Sequence, residues 1–547
     1  MILLVLSVIA FIWLAGAWMR IYRHARFYQI EEYMTGRYLR WLLRSREHWL
    51  PMRPIIAWAG GVVLSLAAYE TLSAYTVVLA TAGAAVLGAY PPPAGEQKKR
   101  FRATPRAKRM LGTAFVISVL PVGASTLFIA LMNVPLYQIL AVSFLGLLTL
   151  LAAPLWLILG NWLMTPVEVA IRERFIQQAR RTLDEIRPTV IGITGSYGKT
   201  STKTYLAHIL NGRYRAYATP KSYNTLMGIC IAINNDLAHD HSVEYFIAEM
   251  GAYFPGEVAR LAELTQPTIG IEIEVGPQHL ERFGSLENTM RAKYELVKAL
   301  PPDGVAVFNW DNPYTRQMYE RGYPKTRIAV SREVHPAQVK PGGPRFIASD
   351  IEETLDGLRF LVTDVELGQS ELFSTPLVGI HNVTNILLAT AVAVHERMPL
   401  RDIARRVRTL QPPESRLVRQ VTPEGITIIN DAYSANPAGA ASALRVLGLH
   451  RNGRRLLITP GMVELGPLME TENHRLGVLA AREATDVILV GPQQTKPIRE
   501  GLLSAGFPPE RLQVVETLAE SVQWYKNNLR AGDTVLFLND LPDTYTS

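Results

Sequence analysis

The chain has 547 residues, room for roughly three or four domains, with 56 Lys and Arg against 48 Asp and Glu. Its one cysteine, Cys230, excludes an intrachain disulfide and fits a reducing compartment; set in the apolar run 228–232, it reads as packing. The net charge of +8 does not mark a nucleic-acid binder: residues 1–165 hold 15 basic and 5 acidic residues, a net of +10, and the remaining 41 basic and 43 acidic residues give −2.

Five apolar stretches come first, at 1–19, 54–70, 73–91, 112–132 and 136–163, each near the ~20 residues that cross a bilayer. The first lacks the basic start and polar cleavage segment of a signal peptide, and four more follow, so it reads as an anchor. Arg20, Arg23, Arg26, Arg37, Arg40, Arg44, Arg46 and Arg53 lie between the first and second stretches. Lys98, Lys99, Arg100, Arg102, Arg106, Lys108 and Arg109 lie between the third and fourth, and the other two connections carry no Lys or Arg. The positive-inside rule then puts both basic loops and everything after residue 163 in the cytoplasm, with the N-terminus outside. The expected location is the inner, or cytoplasmic, membrane, crossed several times, where these cations can meet anionic headgroups.

At Thr189 the pattern changes to short apolar runs alternating with helical periods, which argues parallel α/β. Strands are expected near 189–194, 243–249, 268–275 and 304–309, with a more β-rich stretch over 326–378 and helices opening near His381 and Leu400. Gln411-Pro412-Pro413-Glu414 reads as a linker. A second α/β unit follows, with strands near 425–430, 455–459, 486–490, 512–515 and 534–538.

The most informative segment is Thr-Gly-Ser-Tyr-Gly-Lys-Thr-Ser-Thr at 194–202, directly after the first of these strands. Glycines let backbone N–H groups converge on an anion, a helix start adds its dipole, and Lys199 supplies a mobile charge. Thr200 is placed to offer its hydroxyl to Mg²⁺. Tyr205, Leu206, Ile209 and Leu210 fall on one face of the following helix, as packing on a sheet requires. The spacing departs from the usual G-x-x-x-x-G-K-[ST], the loop proper being Gly195-x-x-Gly198-Lys199-Thr200. An exposed Gly turn with a stray lysine is the blander reading.

Other segments say little alone. Glu249 closes a strand, where an open parallel sheet holds ligands and a carboxylate can hold Mg²⁺. His279 follows another strand, and a lone histidine is ordinarily a hydrogen-bonding residue. Lys293 lies on a helix, where a lysine is ordinarily solvated. The segment 430–437 is a strand-to-helix turn with cap chemistry.

Taken in order, these segments resemble the Mur ligase family, and most closely its D-alanyl-D-alanine-adding members. The matching pieces are 194–202, 222–228, 249–252, 254–257, His-Leu-Glu-Arg-Phe-Gly-Ser at 279–285, Ala-Lys-Tyr-Glu-Leu at 292–296, 379–385, Asn-Asp-Ala-Tyr-Ser-Ala-Asn-Pro at 430–437 and 461–466. The resemblance covers about 185–540 and implies an α/β fold, with a P-loop central ATP-binding domain over 166–410 and a Rossmann-like C-terminal domain over 411–547, behind the helical membrane region that hydropathy places over 1–165. It implies an ADP-forming ligase of peptidoglycan synthesis that phosphorylates a carboxylate and couples it to an amine. On this carry-over Gly195, Ser196, Tyr197, Gly198, Lys199, Thr200 and Ser201 cradle ATP, with Lys199 on the β and γ phosphates. Thr200 and Glu249 hold a first Mg²⁺. His279 helps hold a second, together with Lys293 carbamylated by CO₂. Asn309 and Asn382 lie near adenine and ribose, Arg416 and Asp431 complete the ATP site on domain closure, and Asn224, Tyr433 and Asn436 face the substrate.

Departures from the family pattern concern the substrate. Membrane helices stand where the family carries its UDP-substrate domain, Phe537-Leu538-Asn539-Asp540 replaces a Lys-Gly-Ser-Arg, Glu274 replaces an Asn, and Glu414-Ser415-Arg416 replaces Gly-Arg. Three functions remain in view: extension of a UDP-linked or lipid-linked cell-wall precursor by an amino acid or peptide, the same chemistry on another product such as poly-γ-glutamate, or a non-catalytic nucleotide-binding membrane scaffold.

Overall fold

The computed structural model describes residues 2–31, 33–71, 74–91, 101–132, 134–221, 223–433 and 436–540. Lys98, Lys99, Arg100, Ser222, Ser434 and Ala435 of the expected loops and motifs lie outside these. The chain forms two compact units, Met1–Glu173 and Arg174–Ser547.

The first unit is helical. Among the described residues, four helices are long and apolar enough to cross a membrane by length and composition: Ile2–Ile30, Met52–Tyr69, Pro105–Ile129 and Ala153–Ile186. The expected third stretch forms a helix of only 16 residues, Ala74–Ala89. The expected fifth is not one helix but two, Pro135–Leu151 and Ala153–Ile186. Pro154 explains the break, since it has no N–H to give Leu150. The guanidinium of Arg20 caps the freed carbonyls, its Nη1 donating to Leu150 O at 2.9 Å and Leu151 O at 3.2 Å.

The second unit holds two sheets. The first comprises β1 (Thr189–Thr194), β2 (Ala216–Ala218), β3 (Tyr245–Glu249), β4 (Ile269–Glu272), β5 (Val305–Asn309), β6 (Thr326–Ser331), β7 (Phe346–Thr354), β8 (Gly357–Asp364) and β9 (Gln369–Thr375). Its order is β2-β3-β1-β4-β5-β6-β7-β8-β9. Pairing is parallel from β2 to β7, then antiparallel through β9, so the sheet is mixed rather than purely parallel. The second comprises β10 (Val418–Val421), β11 (Thr427–Asp431), β12 (Arg455–Thr459), β13 (Asp486–Val490), β14 (Leu512–Val515) and β15 (Thr534–Leu538), in the order β10-β11-β15-β12-β13-β14. Only its edge strand β10 is antiparallel. Short β2 and β10 had no sequence signal, and β4 stops three residues before the expected end.

Near-continuous apolar runs make β1, β3, β4 and β5 buried on both faces, as parallel strands under helices must be. Ile191, Ile193 and Ile271 pack against Tyr205, Leu206, Ile209 and Leu210 of the helix Lys199–Leu210, and against the helix His381–His395. Cys230 is buried on the opposite face with Phe246 and Leu261. The chain crosses to opposite sides of β1 to form β3 and β4, so the carboxyl ends of these strands meet at a switch of direction, where open sheets of this kind bind ligands.

Candidate active site

The turn after β1 is held in one shape by the segment after β4. Ser196 N–H donates to Glu274 O at 2.6 Å, Ser196 Oγ donates to Gly276 O at 3.1 Å, and Gly276 N–H donates to Ser196 Oγ at 3.0 Å. Gly198 sits at φ +78°, and a Cβ there would lie 2.5 Å from Asn385 Oδ1; only glycine fits both backbone and space. Lys199 Nζ, at the start of its helix, bonds Gly195 O at 2.6 Å and Ser196 O at 3.2 Å. Burial lowers the Lys199 ammonium to about 8, with Glu249 opposing and Arg416 adding to the shift.

Glu249 ends β3 beside this turn. Thr200 Oγ1 donates to its Oε1 at 3.1 Å, and Asn224 Nδ2 approaches the same oxygen at 3.4 Å. Lys203 Nζ lies 2.9 Å from Oε2 in a buried ion pair. Arg416 Nη2 reaches Thr200 Oγ1 at 3.3 Å, and its guanidinium lies 4.6 Å above the ring of Tyr433. Lys199, Thr200, Glu249, Asn224 and Arg416 therefore converge.

His279 and Lys293 both lie within range of the Lys199 charge. The charge of Lys199 contributes to lowering both, after burial, which is the larger cause. Lys293 faces Glu272, a wholly buried carboxyl with neither oxygen hydrogen-bonded among the described residues. Burial drives this pair toward neutrality, raising Glu272 and lowering Lys293. His279 Nδ1 hydrogen-bonds Glu464 Oε2. Among the described residues there is no group of three or more His, Cys, Asp or Glu able to hold a metal ion; the expected set draws only Glu249 and His279 from those types.

A cavity of about 470 Å³ opens next to the turn, lined from both halves of the second unit. Tyr197, Gly198, Ser201, Asn309, Asn382, Arg416, Asp431 and Asn436 all border it. Tyr205 OH donates to Asn382 Oδ1 at 3.0 Å, and Asn382 Nδ2 donates to Val378 O at 2.8 Å, which fixes that amide. Asn309 Oδ1 accepts from Asp311 N–H at 3.1 Å. Asp431 Oδ1 accepts from Leu417 N–H at 3.1 Å, and burial raises its carboxyl to about 6. Asn436 caps the helix Pro437–Leu449 through Gly439 N–H at 2.8 Å. Tyr433 is half exposed, outside the cavity lining.

Lys203, Glu272, Glu464 and His381 escaped the sequence reading. His381 lines the cavity, hydrogen-bonds Ser442 Oγ at 2.9 Å, and burial lowers it to about 4, leaving it neutral. A charged residue inside an apolar strand was the available signal for Glu272, and membership of the segment 461–466 for Glu464. Asn539, in the altered C-terminal segment, donates its N–H to Asp431 O at 3.1 Å and its amide to Gly461 O at 2.6 Å.

Family models match this unit twice: the Mur ligase middle domain over residues 193–393, and the Mur ligase, glutamate ligase domain over 415–539. A UDP-N-acetylmuramoyl-tripeptide–D-alanyl-D-alanine ligase from Bacillus subtilis is 28% identical over 366 residues, 66% of this chain and 75% of the relative. The enzyme of that name from Mycobacterium leprae is 32% identical over 371 residues, 64% of this chain and 70% of the relative. Among solved structures, MurF from Acinetobacter baumannii superposes with a TM-score of 0.58 at 26% identity, covering 69% of this chain and 78% of its own.

Proposed function

The chain belongs to the Mur ligase family, and from that premise we propose that it is a membrane-anchored, ATP-dependent, ADP-forming ligase acting on a peptidoglycan or lipid-linked cell-wall precursor. The observation that carries this reading is the convergence of Lys199, Thr200 and Glu249 at the ends of β1 and β3. In the reaction a substrate carboxylate oxygen attacks the γ-phosphorus of ATP and ADP leaves. An amine nitrogen then attacks the acyl carbon, the bond to phosphate breaks, and the nitrogen gives up a proton.

The residues present fit nucleotide and magnesium. Gly198, in a left-handed turn too tight for any side chain, borders the cavity, and Thr200 with Glu249 offers the hard oxygen donors Mg²⁺ prefers. Lys199 would neutralise the β and γ phosphates, the charge that phosphoryl transfer must stabilise. Asn309, Asn382 and Asp431 would border the nucleoside, with Arg416 reaching the phosphate side. His279 and carbamylated Lys293 would hold a second Mg²⁺; bound there, the cation supplies charge neutralisation at the acyl acceptor. A carbamate needs an uncharged amine, and the lowered Lys293 supports that. Asn224, Tyr433 and Asn436 are assigned to substrate.

The anchor and the division 1–165, 166–410 and 411–547 belong to the same proposal. Leu4, Phe128 and Leu131 are 70%, 72% and 79% exposed on the first unit, apolar surface that a bilayer would cover. Tethering would raise the effective concentration of a lipid-linked acceptor. The test is to give the purified full chain ATP with lipid-linked precursor, UDP-linked precursor and D-alanyl-D-alanine, or glutamate, and to weigh the products. ADP with a precursor grown by an amino acid or peptide is expected. Growth of glutamate alone would favour a different polymer, and no ADP with any acceptor would leave a scaffold.

A further inference from the structure

We propose that Glu464 is a positioning residue whose carboxylate sets the tautomer and orientation of His279 for a divalent cation. The two meet across domains, Glu464 within the matched segment 415–539 and His279 within 193–393. Glu464 Oε2 bonds His279 Nδ1, while Glu464 Oε1 accepts from Arg282 Nη2 at 3.1 Å. A carboxylate can only accept, so Nδ1 carries the hydrogen, and in the neutral ring Nε2 keeps the lone pair. The ring is held on another side by Tyr253, edge-on at 4.7 Å, and Arg282 lies 4.3 Å over Tyr253.

Both backbones take an unusual route to this contact. His279 has φ +56° and Glu464 φ +62°, and neither is glycine. Left-handed backbone at such residues costs energy that the surrounding structure must offset. The contact thus makes the histidine's orientation conditional on docking of the later domain, linking closure of the cavity to assembly of a cation site. The inference rests on the assignment of His279 as a ligand made above.

Mn²⁺ is the probe, bound to the full chain with a non-hydrolysable ATP analogue. Pulsed EPR reads histidine nitrogen coupled to manganese, and a titration reads Mn²⁺ affinity. The native chain should show the coupling. Glu464→Gln and Glu464→Ala should lose or weaken it and bind Mn²⁺ about tenfold or more weakly, the usual effect of removing a ligand's supporting carboxylate, with nucleotide affinity unchanged. Unchanged coupling and Mn²⁺ affinity in both variants would overturn the proposal. So would parallel loss of nucleotide binding, which would make Glu464 merely structural. No nitrogen coupling in the native chain would instead overturn the assignment of His279 itself.

Discussion

Lys203 places its ammonium 2.9 Å from Glu249 Oε2, with the two side chains only 4% and 2% exposed. Removing one partner strands the other charge in the interior. Lys203→Met should therefore destabilise the second unit by about 3–5 kcal/mol, read from the thermal midpoint of the full chain in detergent. A loss below about 1 kcal/mol would mean that Glu249 has another source of compensation.

Lys199 titrates near 8 in the free protein, below its ordinary 10.5, because burial opposes its charge. A bound polyphosphate favours the charged form and raises it again. Nucleotide binding above pH 8 should thus take up to one proton, and affinity should fall as pH rises through that value. Calorimetry at pH 8.5 in two buffers of different ionisation heat measures the uptake. Lys199→Ala should abolish both the uptake and ATP turnover while leaving the protein in the membrane fraction.

Gly198→Ala should weaken nucleotide binding by about tenfold or more. The new methyl meets Asn385 Oδ1 and the backbone at φ +78° is strained, on the order of 1–3 kcal/mol. Fluorescent-nucleotide titration reads the first effect, and the thermal midpoint the second. Wild-type affinity in this variant would show that the turn can rearrange.

Asp431 carries a carboxyl raised by burial from 3.8 to about 6. A raised group contributes stability that is fully present below about pH 4 and lost as pH climbs through about 6. Acidifying from pH 7 to 4 should therefore favour the native chain over Asp431→Asn by about 2–3 kcal/mol. Melting both proteins across that range gives the answer, and parallel curves would contradict the shift.

Lys293→Ala should lose ligation, and if a carbamate stands at this position, short carboxylic acids such as formate or acetate should restore part of it. The assay is product formation against added acid. No recovery at any concentration would remove the carbamate from the mechanism.

How much was legible follows the range of the interactions. Strand β1, the glycine turn and the helix after it announce themselves because apolar run, glycines and a one-faced helical period are neighbours in sequence. The order of the later pieces, from Glu249 to the segment 461–466, carried the family. Less visible were β2 and β10, three and four residues long at sheet edges, where pairing to a neighbour rather than local pattern makes the strand. The stretch 136–163 read as one span because hydropathy averages over Pro154, while the backbone cannot.

Residue order alone was enough for the helical front, the glycine turn with its helix, and the two α/β units with their family, since each is written in local composition, spacing and order. The folded chain alone chose the partners: Lys203 for Glu249, Glu272 for Lys293, Glu464 for His279. Those pairs join residues far apart in sequence, brought together by strand order and domain docking, and no local period encodes either.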